Sequence, residues 1–417
     1  MTMRLIRSLL EHFVGVGTLR AYDHTGELHV FEGKVKEPVV TMRIHDGSLY
    51  TKIFLSPDIK AAEAYMDGKL TFEEGTDLHD FMSFFLLNER NLRTHPLQKH
   101  AERLSKVMKR VHQFNPRRKA AKNVAHHYDL STEMYKLFLD DNMQYTCAYY
   151  QDPETETLEQ AQRNKARHVC AKMRIRDGMH IAELGCGWGG FALYLAQMND
   201  VKVTSVNLSK EQIAYARAEA KKLGVEDRVD FKLMDYRDLS GQFDRVISIG
   251  MMEHVGVGHY DEFFEQYKRL MKPDGAGFIH SIGTMSVPGT ANPFLRKYIF
   301  PGGHAPSYSE FIGAFERARF WLTDNEVLRK HYHYTLMEWR RRFLNNWDKV
   351  AAIYDERFCR MWEFYLTGTA FGFLHGRNMV FHLVFTKNIN TLPMCRDYIA
   401  EETERLRRRE EELGIAL

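Results

Sequence analysis

The 417-residue chain is 44% hydrophobic and 27% charged, with a formal net charge of +3. That length allows a large core plus a second, small domain, and so small a net charge argues against nucleic acid as a partner. The five cysteines, Cys147, Cys170, Cys186, Cys359 and Cys395, are odd in number and far apart; they form no CxxC or Cys/His cluster, which implies a reducing cytoplasm and no structural metal.

The opening stretch "MTMRLIRSLLEHFVGVGTLR" predicts an amphipathic helix, because Arg4, Arg7, Glu11 and His12 interrupt the apolar run a signal peptide needs. No window approaches the roughly 18 apolar residues of a membrane span, so lipid contact is expected to be peripheral. Residues 20–95 read as a small mixed unit. "GELHVFEG" and "PVVTMRI" alternate as strands do, "SLYTKIFL" reads as a further strand, and "DIKAAEAYMDG" as a helix. Residues 97–122 carry nine Lys or Arg against Glu102 alone. Such a run is either a solvated linker or a surface for an anionic partner.

From residue 177 the pattern becomes strand, loop, helix, repeated. "MHIAELGCG", "VKVTSVNLS", "RVDFKLMD", "FDRVISIG" and "GAGFIHSIG" are the strands; "FALYLAQM", "KEQIAYARAEAKKLG" and "HYDEFFEQYKRLMK" are the helices. Buried strands alternating with amphipathic helices predict a doubly wound parallel sheet. Residues 284–316 look like an insertion, 335–375 are helical, "NMVFHLVFTKN" is one more strand, and "EETERLRRREEELG" reads as a solvated terminal helix.

The loop "ELGCGWGG", Glu183 to Gly190, joins the first of these strands to its helix. Its glycines, including Gly185 and Gly187, allow close approach of a ligand at the carboxyl end of the strand. The acidic residue ahead of them, and the absence of a Gly-Lys-Ser/Thr, favour a cationic ligand over a pyrophosphate, which points to S-adenosylmethionine rather than NAD. Asn207 stands where an acidic residue would grip ribose, with Gln212 close behind, and Asp235 and Tyr236 follow the third strand, placed to meet adenine. Together these predict a class I methyltransferase: Rossmann-like, seven-stranded, with an antiparallel last strand.

After the fourth strand the chain reads "GMMEHVGVGHY", where many O- and N-methyltransferases keep a polar Pro-Pro-Tyr motif, and after the fifth "FIHSIG". With "HHYD" (126–129), "QYTCAYY", "EAYMDG" and "YHYTLMEW", these residues resemble the cyclopropane-fatty-acyl-phospholipid synthase family, which includes mycolic-acid cyclopropane synthases and related fatty-acid methyltransferases; the resemblance covers roughly residues 124–385. It implies methyl transfer from S-adenosylmethionine to a cis double bond of an unsaturated acyl chain in membrane phospholipid. A cyclopropane then forms through a carbocation deprotonated by bound bicarbonate. The bicarbonate site maps onto Cys147, Glu253, His280, the backbone of Ile282, and Tyr332. Cofactor contacts map onto Tyr128, Tyr145, Thr146, Gly185, Asn207, Gln212, Tyr236 and Arg237. Asn207 stands where Thr is frequent in the family, and Thr146 where Ser is frequent.

The chemistry explains the residue types. An alkene is a feeble nucleophile, so methylation depends on orientation and exclusion of water, and the resulting cation is stabilised by aromatic faces. Tyr128, Tyr145, Tyr149, Tyr332 and Trp339 are the candidates. Cys147 is read as a weak hydrogen-bonding liner of the anion pocket, neither nucleophile nor metal ligand. The expected organisation is an α+β lipid-binding-type domain over residues 1–95 and a basic helical linker over 96–123. The methyltransferase domain follows over 124–393, with the insertion 284–316, and then a charged terminal helix over 394–417. The expected partner is membrane phospholipid at the inner face of the cell membrane, with no nucleic acid, and with a homodimer allowed. Two alternatives remain open: a C-methyltransferase that leaves a methyl or methylene branch, and a non-catalytic lipid-binding protein on the same fold.

Overall fold

Strands whose residues are apolar on both sides build the centre of the larger sheet. In the computed structural model, which describes residues 4–94 and 130–415, seven strands pair. They are β5 (His180–Leu184), β6 (Lys202–Asn207), β7 (Val229–Leu233), β8 (Phe243–Ile249), β9 (Met271–Thr284), β10 (Trp321–Leu328) and β11 (Asn378–Thr386), in the order β10-β11-β9-β8-β5-β6-β7. The run β7 to β9 is parallel. β11 enters antiparallel between β9 and β10. The expected class I methyltransferase sheet is present, with its antiparallel last strand.

Helices cover both faces. On one side lie α6 (Leu158–Lys172), α7 (Gly190–Met198) and α8 (Lys210–Lys222), packing residues such as Val169, Phe191, Leu195 and Ile213 against Phe231 and Ile247. On the other, α9 (Tyr260–Leu270) and α10 (Tyr308–Arg317) present Phe263, Tyr267, Phe311 and Phe315 to Phe381 and Phe385. α6 starts at a reciprocal cap: Gln160 N–H donates to Thr157 Oγ1 and Thr157 N–H to Gln160 Oε1, satisfying two donors that a helix start leaves open. A short α5 (Thr132–Lys136) precedes it.

Two compact units cut across the linear order. Among the described residues, one comprises 4–94, 289–301 and 339–376, and the other 130–288, 302–338 and 377–415. The first holds a four-stranded sheet, β2-β1-β3-β4, made of β1 (Thr18–Tyr22), β2 (Leu28–Glu32), β3 (Val39–Ile44) and β4 (Leu70–Phe72). Around it lie α1 (Arg4–Phe13), α2 (Leu49–Leu55), α3 (Pro57–Met66) and α4 (Leu78–Thr94). To these the unit adds α12 (Trp347–Ile353) and α13 (Glu356–Leu374). Tyr65 Oη donates to Glu363 Oε2 at 2.6 Å, and Arg340 pairs with both Glu363 and Asp77. The stretches 289–301 and 339–376, expected within the methyltransferase domain, therefore pack with the amino-terminal residues.

Three further expectations change. "SLYTKIFL" forms α2, not a strand. A strand would put Lys52 on one face with Tyr50 and Phe54, whereas the helix buries Leu49, Tyr50 and Ile53 together and leaves Lys52 in water. β10 went unread because it is an edge strand with little apolar alternation, and most of its residues are exposed or half-buried. The terminal helix, α14 (Asp397–Glu412), is docked rather than solvated. Leu406 is fully buried in the core under α6 and α7, Glu410 accepts from Arg167 and from Tyr194 Oη at 2.6 Å, and Arg176 holds Glu402. The basic run 97–122 lies outside the described residues.

Leu406→Ala should accordingly destabilise the fold by about 2–5 kcal/mol in urea unfolding, the cost of emptying a packed site. A change below about 0.5 kcal/mol would mean the helix is only solvated surface.

Candidate active site

β5 lies between β6 and β8, so the chain leaves the ends of β5 and β8 in different directions and opens a crevice there. Gly187 in the loop after β5 has φ +52°, and a Cβ built on it meets nothing within 4 Å. The space beside that backbone is free for a ligand. Across from it, Asn207 at the end of β6 donates to Gly187 O at 3.1 Å and to Gln212 Oε1 at 2.7 Å, while its own oxygen accepts from Leu208 N–H. Asn207 therefore braces the loop and orients Gln212. Gln212 Nε2 is a buried donor with no protein partner, which calls for an acceptor from a ligand.

Glu183 is buried and its Oε2 accepts from Ser205 Oγ at 2.7 Å. Burial pushes its pKa up to about 7, against the Ser205 hydrogen bond and the charge of Lys165. Beyond β7, both carboxylate oxygens of Asp235 take the Arg237 guanidinium, at 2.9 and 2.6 Å, and Oδ1 also accepts the Arg237 backbone N–H. Tyr236 packs edge-on against Phe263. A cationic amino acid with an adenosine tail fits this set. A carboxyl that costs little to ionise once a cation arrives, an open backbone cradle and an orphaned donor come from β5, the loop after it and the first turn of α8.

The segment 142–150 approaches the end of β8, where a Cβ on Gly250 would meet Thr146 Cγ2 at 2.9 Å. Its path is held by α6 and by α11 (His331–Asn345). Gln162 donates to the carbonyls of Gln144 and Thr146, and Lys165 Nζ to Gln144 Oε1 at 2.7 Å and Thr146 Oγ1 at 2.8 Å. From α11, Thr335 Oγ1 accepts from Ala148 N–H and His331 Nδ1 from Tyr150 N–H, both at 3.0 Å. That pins Cys147 beside the helix that carries Tyr332, and both are buried. The Cys147 thiol donates to Ala148 O at 3.2 Å, and burial raises its pKa far above the ordinary value. It stays a thiol, as expected for a liner and not a nucleophile.

Glu253 follows β8 in a 3₁₀ turn, and its Oε1 accepts from Ile282 N–H at 2.6 Å. Its Oε2 is buried without a partner, and burial pushes its pKa up to about 7. His280, two residues before Ile282 on β9, is buried, and desolvation holds its pKa well below the ordinary value, so it is neutral. The structure thus joins Glu253 directly to Ile282, sets His280 on the same strand, and pins Cys147 to the helix of Tyr332. Tyr145 packs edge-on to Tyr135. Tyr128 lies outside the described residues. One aromatic candidate changes role: Tyr149 is stacked between His168 and His331, at 4.4 and 4.8 Å, so both its faces are already covered. Trp339 lies on α11, two turns on from Tyr332, and is fully buried.

Lys165 was not foreseen. It is fully buried, its pKa lowered to about 8 by burial and held up by Asp140, Cys147 and Glu183. Asp140 is buried too, and burial raises its pKa to about 6. In the middle of a helix rich in charged and amide side chains, a lysine reads as solvent-facing, and only its distant partners show otherwise.

The sequence profile of the mycolic acid cyclopropane synthetase family matches residues 115–383. The chain belongs to that family. It is 39% identical over 263 residues to the cyclopropane-fatty-acyl-phospholipid synthase of Escherichia coli K12, covering 63% of this chain and 67% of that one. It is 33% identical over 350 residues to a probable fatty acid methyltransferase of Pseudomonas putida, covering 81% and 85%. The solved structure of the mycolic acid cyclopropane synthase CmaA1 with SAH and CTAB superposes with a TM-score of 0.61 at 29% identity, covering 65% of this chain and 99% of that one. The protein is an S-adenosylmethionine-dependent methyltransferase.

A sulfonium brought beside Glu183 lowers a pKa that burial has raised, so binding near neutral pH should release part of a proton. Calorimetry in two buffers of different ionisation enthalpy should give different apparent binding enthalpies, and Glu183→Gln should shrink the difference. A buffer-independent wild-type enthalpy would contradict this assignment.

Proposed function

We propose that the enzyme transfers the methyl group of S-adenosylmethionine to a cis double bond of an unsaturated acyl chain in membrane phospholipid and closes a cyclopropane ring. The observation that carries this reading is the acceptor-side pair Glu253 and His280: two buried proton-handling groups, one near its midpoint at neutral pH and one neutral. Relatives of this chain bearing the names cyclopropane-fatty-acyl-phospholipid synthase and fatty acid methyltransferase support it.

S-adenosylmethionine supplies the methyl cation equivalent. The loop Glu183–Gly190 with Gln212 holds the donor, and Asn207 keeps that loop in place. Methyl transfer to the alkene leaves a cation, whose neighbouring C–H bonds are strongly acidic, so a weak and dry base is sufficient. His280 adds no charge beside it, because burial keeps its imidazole neutral. Bicarbonate, when bound among Cys147, Glu253, His280, Ile282 and Tyr332, would supply a base that is not consumed by alkylation. Ile282 N–H is already taken by Glu253 Oε1, so Glu253 itself, protonated on Oε2, becomes a donor to an anion there beside the Tyr332 hydroxyl. A carboxyl with a pKa about 7 can play that part, where an ordinary glutamate would repel the anion.

Access is a separate matter. No helix among the described residues is long and apolar enough to cross a membrane. The enzyme docks on the cytoplasmic leaflet and draws the acyl chain in, with the basic run 97–122 as the electrostatic contact.

A second reading, a branched product without a ring, is favoured by the fatty acid methyltransferase relative, which aligns over 81% of this chain. Incubation with a donor carrying a trideuterated methyl and mass spectrometry of the acyl chains separates them. Ring closure removes one deuteron, so the product keeps two, and fragmentation locates the ring. Three retained deuterons identify a methyl branch whose cation lost a proton from the acyl chain and kept a double bond, two with a vinylidene fragment a methylene branch, and no incorporation a binding protein; each of these overturns the ring.

A further inference from the structure

The insertion that opens at residue 284 starts where β9 ends, and β9 is the strand that carries His280 and Ile282. At the rise of a strand, the root of the insertion lies about 7 Å beyond Ile282. That root is clamped to the start of β11. Met285 N–H donates to Arg377 O at 2.9 Å, Thr284 Oγ1 donates to the same carbonyl at 3.2 Å, and the Arg377 guanidinium donates back to Met285 O at 3.1 Å. Beyond the clamp the run Met285–Pro288 stands in water, with Met285 54% and Val287 82% exposed. Pro288 biases Val287 toward extended backbone, which keeps the tip from coiling back into a helix. Arg377 is exposed as well, and no carboxylate among the described residues pairs with it.

A single exposed apolar side chain is ordinary. Here two stand within three residues, beside a free cation, at the end of the strand that lines the acceptor pocket. Two side chains fall far short of the roughly 800 Å² per partner that a stable protein interface buries, so a second copy or another protein fits this feature poorly. A lipid leaflet asks for less: a few apolar side chains below the headgroups and a cation at the phosphates. Position also sets the pair apart from other exposed apolar residues. Ile389 is exposed to the same degree, 55%, but it follows β11, whose last residue, Thr386, pairs with Ala276. That end of the sheet is about 25 Å of strand away from the insertion's root.

We propose that Met285 and Val287 insert into the phospholipid leaflet, with Arg377 on a lipid phosphate, and hold the mouth of the acceptor pocket against the membrane. This rests on the reading of the acceptor as a phospholipid acyl chain. The hydrocarbon of one leaflet is about 15 Å deep. With the pocket about 7 Å behind the insertion's root, an acyl chain can reach it while its headgroup stays in the interface. The contact is apolar where that of the run 97–122 is electrostatic, so salt weakens the second and spares the first.

The test uses the full chain and vesicles of unsaturated phosphatidylethanolamine and phosphatidylglycerol. Cys395 is exposed and the other four cysteines are buried, so Val287→Cys in a Cys395→Ser background takes a single nitrobenzoxadiazole label. With vesicles its emission should shift to the blue and be quenched by phospholipid spin-labelled on the acyl chain, whereas the same label on Ile389→Cys should show neither effect. In sedimentation at about 0.5 M salt, where exposed charges are screened, the Met285→Asp, Val287→Asp double variant should partition onto vesicles at least tenfold more weakly, with its affinity for S-adenosylmethionine unchanged. Ile389→Asp should partition as the wild type does. A label at position 287 that stays in water while the enzyme sediments with vesicles overturns the proposal, and so does a wild-type enzyme that does not sediment with them. If the label enters the leaflet but mass spectrometry finds no modified acyl chain, the docking surface stands and the reading of the acceptor falls.

Discussion

A buried ammonium, Lys165 Nζ, joins the two halves of the site. It bonds Gln144 and Thr146, and its charge is felt at Asp140 and Glu183 on the donor side and at Cys147 and His280 on the acceptor side. Losing its partners would leave an uncompensated buried charge, at a cost of about 3–5 kcal/mol, so the segment 142–150 has strong reason to keep its one path. That path sets Cys147 beside α11 and Thr146 against the end of β8. The geometry of the donor loop and that of the proton-accepting pocket therefore share one support.

The two halves then handle charge in complementary ways. Around the donor, a carboxyl held at about pKa 7 and an orphaned amide donor await a zwitterionic ligand with a cationic sulfur. Around the acceptor, His280 is neutral and Glu253 is near its midpoint, so an apolar chain can enter without meeting a full unpaired charge. The same desolvation produces both effects, because it raises carboxyl pKa values and lowers imidazole values together. Cys147 fits this economy of charge. A thiol held protonated is a small, dry wall that neither attacks a cation nor binds metal.

Much of this was legible in the sequence, for a physical reason. The strands β5, β6, β8 and β9 are short apolar runs between glycines and helices, and the loop Glu183–Gly190 has a composition that few backbones other than a ligand cradle need. Glu253, His280 and Ile282 could be named through the resemblance that "GMMEHVGVGHY" and "FIHSIG" carry; Glu253 follows β8, and the other two lie on β9. What escaped was the layer behind them. Lys165, Gln162, His168 and Lys172 all come from α6, a polar-looking helix whose buried face pairs with residues up to 243 positions away. Periodicity reports which face is apolar, not which polar face will be buried against distant partners. β10 and Glu326 were hidden likewise, and α2 was misread because Leu49, Tyr50 and Ile53 fit a buried strand almost as well as a helix face.

The separation of donor binding from proton handling is the claim on which the account stands, and one variant measures it. Glu253→Gln keeps the shape of the side chain, its acceptor for Ile282 N–H and its neutrality, yet removes a proton that can be lost. Product formation and S-adenosylmethionine affinity should be measured on the same preparation, folded by circular dichroism. The account predicts turnover reduced at least a hundredfold with an unchanged dissociation constant for the donor. Turnover near the wild-type rate, or a loss matched by an equal loss of donor affinity, would contradict it.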